Sequence, residues 1–242
     1  MDQVLINEIE NSAKHKNLTL VLFGSYSRGD YDSSSDIDVL EITREKEKPY
    51  SKAKINFSTY SLDQLKTMAS EGNLFVLHII MEGEVISGNF KILDILNASF
   101  KRQNNYKGFR DEIILTAKLL DVSEKNFKAN SKGYYGLLCY LFRSYLYAMT
   151  YDESLIEFSI KKIAAKYNDQ DISKVFNLKY NTRITYSEYL NCKSIFQKYA
   201  KSEFTNHLID RVELLRSLQK SSKFGFNIAL HFLEDLVQEI YI

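Results

Sequence analysis

The spacing of the apolar residues changes near residue 89, and this change constrains the fold more than any other feature of the sequence. Short runs of strand-forming residues occur before it, at residues 18–23, 36–43, 55–60 and 85–86. Beyond it, apolar residues recur at helical spacing in residues 90–100, 109–120, 134–149, 159–167, 186–200 and 224–240. The sequence therefore predicts an α+β fold, in which a small α/β domain, residues 1–95, precedes an all-α domain, residues 96–242.

The first domain also contains helical segments and turns between the expected strands. Apolar spacing predicts helices at residues 4–16, 61–70 and 73–81. Ser61 is placed to cap the second of these helices. Residues 45–54 are charged and include Pro49, the single proline of the chain, so they are predicted to form a solvated loop.

Charge and cysteine content exclude several classes of protein. The 32 basic and 31 acidic residues nearly cancel, so any nucleic-acid contact must rest on a local patch rather than on a global field. Cys139 and Cys192 lie far apart in the sequence and are expected to be reduced, buried thiols, with no zinc cluster around them. Neither a signal-peptide core nor a membrane-spanning run is recognisable. These features predict a cytoplasmic protein with no membrane partner.

A phosphate-binding turn is predicted where the first strand ends. Gly24 follows the apolar run 18–23, and its lack of a Cβ atom lets a phosphate approach the backbone. Ser25 begins a helical turn, where its hydroxyl and free N–H groups make an anion site. Arg28 comes one turn later and can add a charged fork. A Gly-Ser pair after a strand is often only a capped turn, so this pair alone does not establish a phosphate site.

Two aspartates lie on the next predicted strand. Asp36 and Asp38 are two residues apart, so their carboxylates point to the same face. Such a pair can hold one or two Mg²⁺ ions, or Mn²⁺, that bridge a triphosphate and an attacking hydroxyl. An isolated Asp-x-Asp is often only a solvated strand face. The phosphate-binding turn and the carboxylate pair, in this order, indicate phosphoryl-type transfer.

The joint pattern resembles the signature of the DNA polymerase β nucleotidyltransferase superfamily, over roughly the first 90 residues. The matching residues are Gly24, Ser25, Arg28, Gly29, Ser35, Asp36 and Asp38. The resemblance implies a mixed sheet with helices, and transfer of a nucleoside monophosphate from an NTP or dNTP, ATP included, to an acceptor hydroxyl, with pyrophosphate leaving. It makes Ser35 a further nucleotide-binding candidate. Because helical domains of this superfamily commonly supply base and acceptor contacts, Arg143 is the nucleotide-binding candidate in the second half.

The sequence departs from this superfamily at the usual third carboxylate. By position it would fall at Asn56 or Ser58, and neither residue is acidic. Asn56 still offers a carbonyl oxygen and is the predicted third metal ligand. The substitutes considered are Glu41, expected to be a surface glutamate on the opposite face, and Glu82 and Glu84, expected in capping or loop roles. His78, among apolar residues on a helix, is expected to be a hydrogen-bonded structural histidine.

Several functions are compatible with these residues. We expect a metal-dependent, template-independent nucleotidyltransferase that makes an oligonucleotide or nucleotide signal in a bacterial antiviral defence or stress setting. The alternatives are a toxin–antitoxin nucleotidyltransferase that modifies a partner protein or RNA, and a degenerate module that binds nucleotides or a partner without catalysis. A homo-oligomer is an open alternative to a monomer. Tyr241, one residue from the C-terminus, is the candidate for a self-acceptor hydroxyl.

Overall fold

The computed structural model describes residues 3–14, 19–33, 35–45, 47–178, 183–208 and 211–240, without the side chains of residues 211 and 233–240. The chain divides into two compact units, Met1–Gln103 and Asn104–Ile242, called here the N-terminal and C-terminal units. None of the helices in the described residues combines the length and the apolar composition needed to cross a bilayer.

The N-terminal unit is built on a mixed sheet with helices on both faces. Its elements are α1 (Gln3–Ser12), β1 (Thr19–Phe23), α2 (Ser25–Arg28), β2 (Ile37–Thr43), β3 (Tyr50–Lys52), β4 (Ile55–Ser61), α3 (Leu62–Ser70), α4 (Leu74–Glu82), β5 (Glu84–Ser87) and α5 (Ile92–Ser99). The strand order is β3-β4-β2-β1-β5. Strands β2 and β4 are parallel, and the other neighbouring pairs are antiparallel.

Alternation along the strands gives the sheet two apolar faces. One face carries Leu22, Val39 and Phe57 and packs against Ile9 of α1. The other face packs against α3, α4 and α5, and its buried residues are Val21, Phe23, Leu40, Ile42, Leu65, Ala69, Val76, Ile79, Ile92 and Leu96. The predicted sheet and helices of this half are confirmed, and the mixed sheet gives the α+β class expected from the sequence.

The C-terminal unit is entirely helical in the described residues. Its α-helices are α6 (Lys107–Thr116), α7 (Glu124–Ala129), α8 (Ser131–Asp152), α9 (Ile160–Lys166), α10 (Gln170–Asn177), α11 (Tyr186–Ala200), α12 (Arg211–Ser221) and α13 (Lys223–Ile240), with a 3-10 turn at Ala117–Leu120. The long helix α8 buries aromatic side chains such as Tyr134, Tyr135 and Phe142. The helical segments predicted after residue 89 are confirmed, although their ends differ by a few residues.

Short elements were missed by the sequence interpretation. The predicted loop 45–54 contains β3, an edge strand that pairs only with β4. Tyr50 of β3 stacks on Phe57 of β4, with ring centroids 4.6 Å apart. The charged residues and Pro49 concealed this edge strand. Helices α7, α10 and α12 were also missed; α7 and α10 are short, and each begins at a side-chain cap, Ser123 or Asp169.

Candidate active site

The two halves of the sequence motif meet where β1 ends beside the start of β2. Phe23, the last residue of β1, is in register with Asp38. Gly24 follows at φ 75°, in the left-handed region that favours glycine. A Cβ atom at Gly24 would lie 3.2 Å from Asp38 Oδ2, so the backbone conformation favours glycine and a side chain there would crowd the carboxylate. The predicted phosphate-binding turn therefore lies against one of the predicted metal ligands.

The two aspartates lie on the face of the sheet that carries Phe23. Asp36 precedes β2 and Asp38 is its second residue, and both alternate with the buried Ile37 and Val39. Strand alternation therefore points both carboxylates to one face, as the sequence predicted. Both side chains are partly exposed. From one partly exposed face, both carboxylates can offer oxygen atoms, the ligands that a hard divalent cation prefers.

Asn56 lies next to this pair across the parallel strands. It is the register partner of Asp38, and on its other side its Oδ1 accepts a hydrogen bond from Ser51 Oγ at 2.8 Å. The amide oxygen has a second lone pair for another partner. The structure thus places the three predicted metal ligands side by side on one face of the sheet, at the start of β2 and of β4.

This donor set suits a hard divalent cation. Across the described part of the chain, no three His, Cys, Asp or Glu side chains lie close enough together to hold a metal ion. Mg²⁺, however, is usually held by only one or two protein carboxylates, with waters and substrate phosphates completing its shell. Two aspartates and one amide oxygen fit that requirement.

The turn after Gly24 forms a single helical turn, as predicted. Ser25 is its first residue, and Gly29 ends it at φ 74°. The backbone N–H of Arg28 donates to Gly24 O at 3.0 Å and that of Asp30 to Ser25 O at 3.1 Å. These hydrogen bonds hold the backbone of the turn in one conformation beside Asp38.

The Arg28 side chain is engaged by carboxylates within the N-terminal unit. Its Nη1 donates to Glu82 Oε2 at 2.5 Å, and its Nε lies 3.2 Å from Asp30 Oδ1. Burial alone would lower the pKa of Arg28, but the charges of Glu82 and Asp30 outweigh it and raise that pKa. The phosphate-binding role predicted for Arg28 stays a prediction.

Glu82 belongs to a polar network that the sequence interpretation did not assemble. Its Oε2 lies 2.7 Å from His78 Nε2, one helical turn earlier on α4. The His78 ring also meets Phe23 edge-on, with centroids 5.4 Å apart. The expected hydrogen bond of His78 is thus confirmed, and its structural role stays a prediction. The sequence feature that could have predicted this pair is its spacing, because residues four apart lie on the same face of a helix.

Other candidate residues lie in different surroundings. Ser35 is buried, and its hydroxyl accepts from the Asp32 N–H at 2.9 Å, so it holds the loop before Asp36; its nucleotide-binding role stays a prediction. The expectation of a surface Glu41 is wrong: the side chain is 0% exposed and accepts from Tyr50 Oη at 2.9 Å. Glu41 does face away from Asp38, as expected, and the reason for its burial is β3, which brings Tyr50 over it.

The remaining candidates are Glu84, Arg143 and Tyr241. Glu84 is exposed at the start of β5. Arg143 is exposed on α8 of the C-terminal unit, and its nucleotide-binding role stays a prediction. Tyr241 lies outside the described residues.

Comparison with known proteins identifies the family to which the N-terminal part of the chain is similar. The family model described as nucleotidyltransferase domain matches residues 6–128, slightly more than half of the chain. A protein of Methanocaldococcus jannaschii described as a "putative protein adenylyltransferase" is 50% identical over 38 residues, which are 16% of this chain and 38% of that protein. The matched segment thus spans well under half of that relative. The chain belongs to the nucleotidyltransferase domain family.

Proposed function

We propose that the N-terminal unit transfers a nucleoside monophosphate from an NTP or dNTP to an acceptor hydroxyl in a reaction that depends on a divalent metal. The observation that carries this proposal is that the Gly24–Arg28 turn and the aspartate pair lie side by side. The Asp38 carboxylate is next to Gly24, at the position where a Cβ atom would point. Asp36, Asp38 and the Asn56 amide oxygen would hold Mg²⁺ or Mn²⁺. When bound, the cation would neutralise charge on the triphosphate oxygens.

The reaction requires in-line displacement at the α-phosphorus. The acceptor oxygen forms a bond to that phosphorus, the bond to the bridging oxygen breaks, and pyrophosphate leaves with the electron pair. Gly24 leaves room for the phosphates at the backbone, and Ser25 supplies a hydroxyl and an N–H group at the start of the turn. The acceptor hydroxyl loses its proton in the same reaction, to solvent water or to the leaving pyrophosphate. Asn56 cannot accept that proton as a carboxylate would.

The choice of acceptor separates two candidate products. Template-independent synthesis of an oligonucleotide or nucleotide signal in a bacterial defence or stress setting stays a prediction from the sequence resemblance. A second candidate, transfer of AMP from ATP to a hydroxyl of a protein, is favoured by the described activity of the M. jannaschii relative. Both products arise from the same displacement at the same carboxylates, so they differ only in what presents the hydroxyl.

One experiment separates these candidates. The purified chain is incubated with each α-labelled NTP and dNTP in Mg²⁺ or Mn²⁺, with and without a cell extract, and pyrophosphate release is measured. Label in a soluble nucleotide product supports oligonucleotide or signal synthesis, and label on an extract protein supports protein adenylylation. Triphosphate binding without pyrophosphate release under any of these conditions would instead indicate a non-catalytic nucleotide-binding module and contradict the proposal.

A further inference from the structure

We infer that Glu82 is a positioning residue of this site and that Arg28 acts as its anchor partner rather than as a ligand of the triphosphate. Glu82 holds the turn α2, which carries Ser25 next to Gly24, through two separate contacts. This inference rests on the proposed function, because it assigns to the turn a role in binding the triphosphate.

The two contacts join α2 to the end of α4. The Arg28 guanidinium donates to the Glu82 carboxylate, and the Ser27 hydroxyl donates to the Glu82 backbone carbonyl. Consecutive side chains of the turn are therefore held by one residue that lies 54 positions from Arg28 in the sequence. A turn of only four residues has little rigidity of its own, since isolated helical turns are unstable in water.

Glu82 itself is held in a fixed place. The N–H of Gly83 donates to Ile79 O at 2.8 Å. A Cβ atom at Gly83 would lie 2.4 Å from Ile79 O and 2.9 Å from Val21 Cγ1. The end of α4 thus lies closely on β1, the strand that leads into Gly24. This packing fixes the Glu82 anchor relative to the strand that precedes the phosphate-binding turn.

Charge and burial argue that Arg28 keeps this partner when a nucleotide binds. The Arg28 and Glu82 side chains are 14% and 11% exposed, respectively. Removing one partner of a partly buried ion pair leaves an uncompensated charge and is strongly unfavourable. Arg28 also contacts Asp30, two residues further along. A guanidinium that neutralises two carboxylates contributes more by holding the turn than by moving to a phosphate.

Triphosphate kinetics of four variants test the inference. They are Glu82→Gln, Arg28→Gln, the double variant, and Glu84→Gln as a control that changes an exposed glutamate two residues away. We expect Glu82→Gln and Arg28→Gln each to raise KM for the triphosphate about tenfold, as loss of a charge-assisted hydrogen bond would, with a smaller change in kcat. The double variant should be no worse than the more affected single variant, and the control should match the wild type.

Different KM changes in the two single variants would overturn the inference. If Arg28 contacts the triphosphate directly, Glu82→Gln releases the guanidinium and leaves KM unchanged or lower, whereas Arg28→Gln still raises KM. A purely structural role for Glu82 would also contradict the inference, since it would lower Tm without a selective change in KM. Ser27→Ala removes the second contact without leaving a charge unpaired, so it tests the anchor even if Glu82→Gln does not fold.

Hydrogen exchange separates a failure of this inference from a failure of the proposed function. Without any nucleotide, the amides of Arg28, Gly29 and Asp30, which are hydrogen-bonded inside the turn, should exchange about tenfold faster in Glu82→Gln and Ser27→Ala than in the wild type or Glu84→Gln. Unchanged exchange would overturn the anchor role whatever the enzyme transfers. Failure of the wild type to release pyrophosphate would contradict the proposed function and leave the exchange result interpretable.

Discussion

The two units accommodate their buried polar groups in different ways. In the N-terminal unit, polar side chains pair with one another around the motif, as Glu82 does with the Arg28 guanidinium and the His78 ring. In the C-terminal unit, tyrosine hydroxyls donate to backbone carbonyls within an aromatic core, for example Tyr189 to Leu120 O at 2.7 Å. The contacts of Glu82 fix the positions of side chains around the motif. The tyrosine hydroxyls instead supply hydrogen bonds to buried backbone carbonyls that water cannot reach. Substitutions should therefore affect activity in one unit and stability in the other.

The largest effect is expected from the carboxylates of the N-terminal unit. Asp36→Ala and Asp38→Ala should each lower kcat/KM by about a thousandfold or more, because removal of a metal ligand costs several kcal/mol of transition-state stabilisation. Both side chains are partly exposed, so Tm should change by less than about 2 °C. Asp94→Ala, which changes an exposed aspartate of α5 in the same unit, should retain normal activity. Normal pyrophosphate release by Asp38→Ala would show that the site lies elsewhere.

The reverse result is expected from the core of the C-terminal unit. Tyr189 is 0% exposed, so Tyr189→Phe leaves the Leu120 carbonyl without its hydrogen bond and should cost about 2 kcal/mol. Thermal unfolding should show a Tm lower by about 4–8 °C, with KM for the triphosphate unchanged at temperatures well below the transition. Tyr31→Phe, at a position that is 53% exposed, should leave Tm unchanged. Equal Tm values for the two variants would refute the proposed difference between the units.

The two units also differ in how much of each the sequence predicted. Turn chemistry predicted the turn at Gly24, and strand alternation predicted the shared face of Asp36 and Asp38, because both signals are local. The contact of Gly24 with Asp38 depends on the pairing of β1 with β2. The Arg28–Glu82 anchor joins residues 54 positions apart, and no local pattern pairs them. Likewise, Glu41 was predicted to be exposed because β3, which covers it with Tyr50, was itself concealed by charged residues.

For the C-terminal unit, the sequence predicted the long helices but not the contacts between them. Helical periodicity predicted the long helices such as α8 and α11, since one apolar face must be buried. Which tyrosine hydroxyl reaches which carbonyl depends on how these helices pack, so the bond of Tyr186 to Val122 O could not be predicted. Short helices such as α10 are too brief for periodicity to distinguish them from loops.

A smaller effect on activity is expected from substitutions at Asn56, the predicted third metal ligand. Asn56 brings no charge beside its register partner Asp38, so the wild type should bind the activating metal weakly and be more active with Mn²⁺ than with Mg²⁺. Asn56→Asp should lower the metal concentration for half-maximal activity by about tenfold, since it adds a carboxylate ligand. Asn56→Ser, which removes the amide oxygen, should raise it. Identical metal titrations for the wild type and Asn56→Asp would remove Asn56 from the site.

The smallest effect tests a charged contact of the C-terminal unit. Burial alone would raise the pKa of Asp121, but hydrogen bonds from the Asn206 N–H and the Lys193 ammonium outweigh it and hold that pKa below its ordinary value of 3.8. A carboxyl group with a lowered native pKa stabilises the fold above its unfolded-state pKa, and this stabilisation disappears as pH falls through the native pKa.

Asp121→Asn removes the titrating charge and keeps one acceptor oxygen, which can take the place of only one of the two carboxylate oxygens that accept from Asn206 and Lys193. The wild type should therefore have the higher Tm at about pH 6, and the difference from Asp121→Asn should narrow and vanish as the pH is lowered toward about 2.5. Because Lys193 pairs with a carboxylate that is itself 38% exposed, solvent screening keeps the difference small. Asp111→Asn, at an exposed position on α6, is the control for loss of a surface carboxylate. A difference in Tm that stays constant over this pH range would mean that the ionised Asp121 carboxylate does not stabilise the unit.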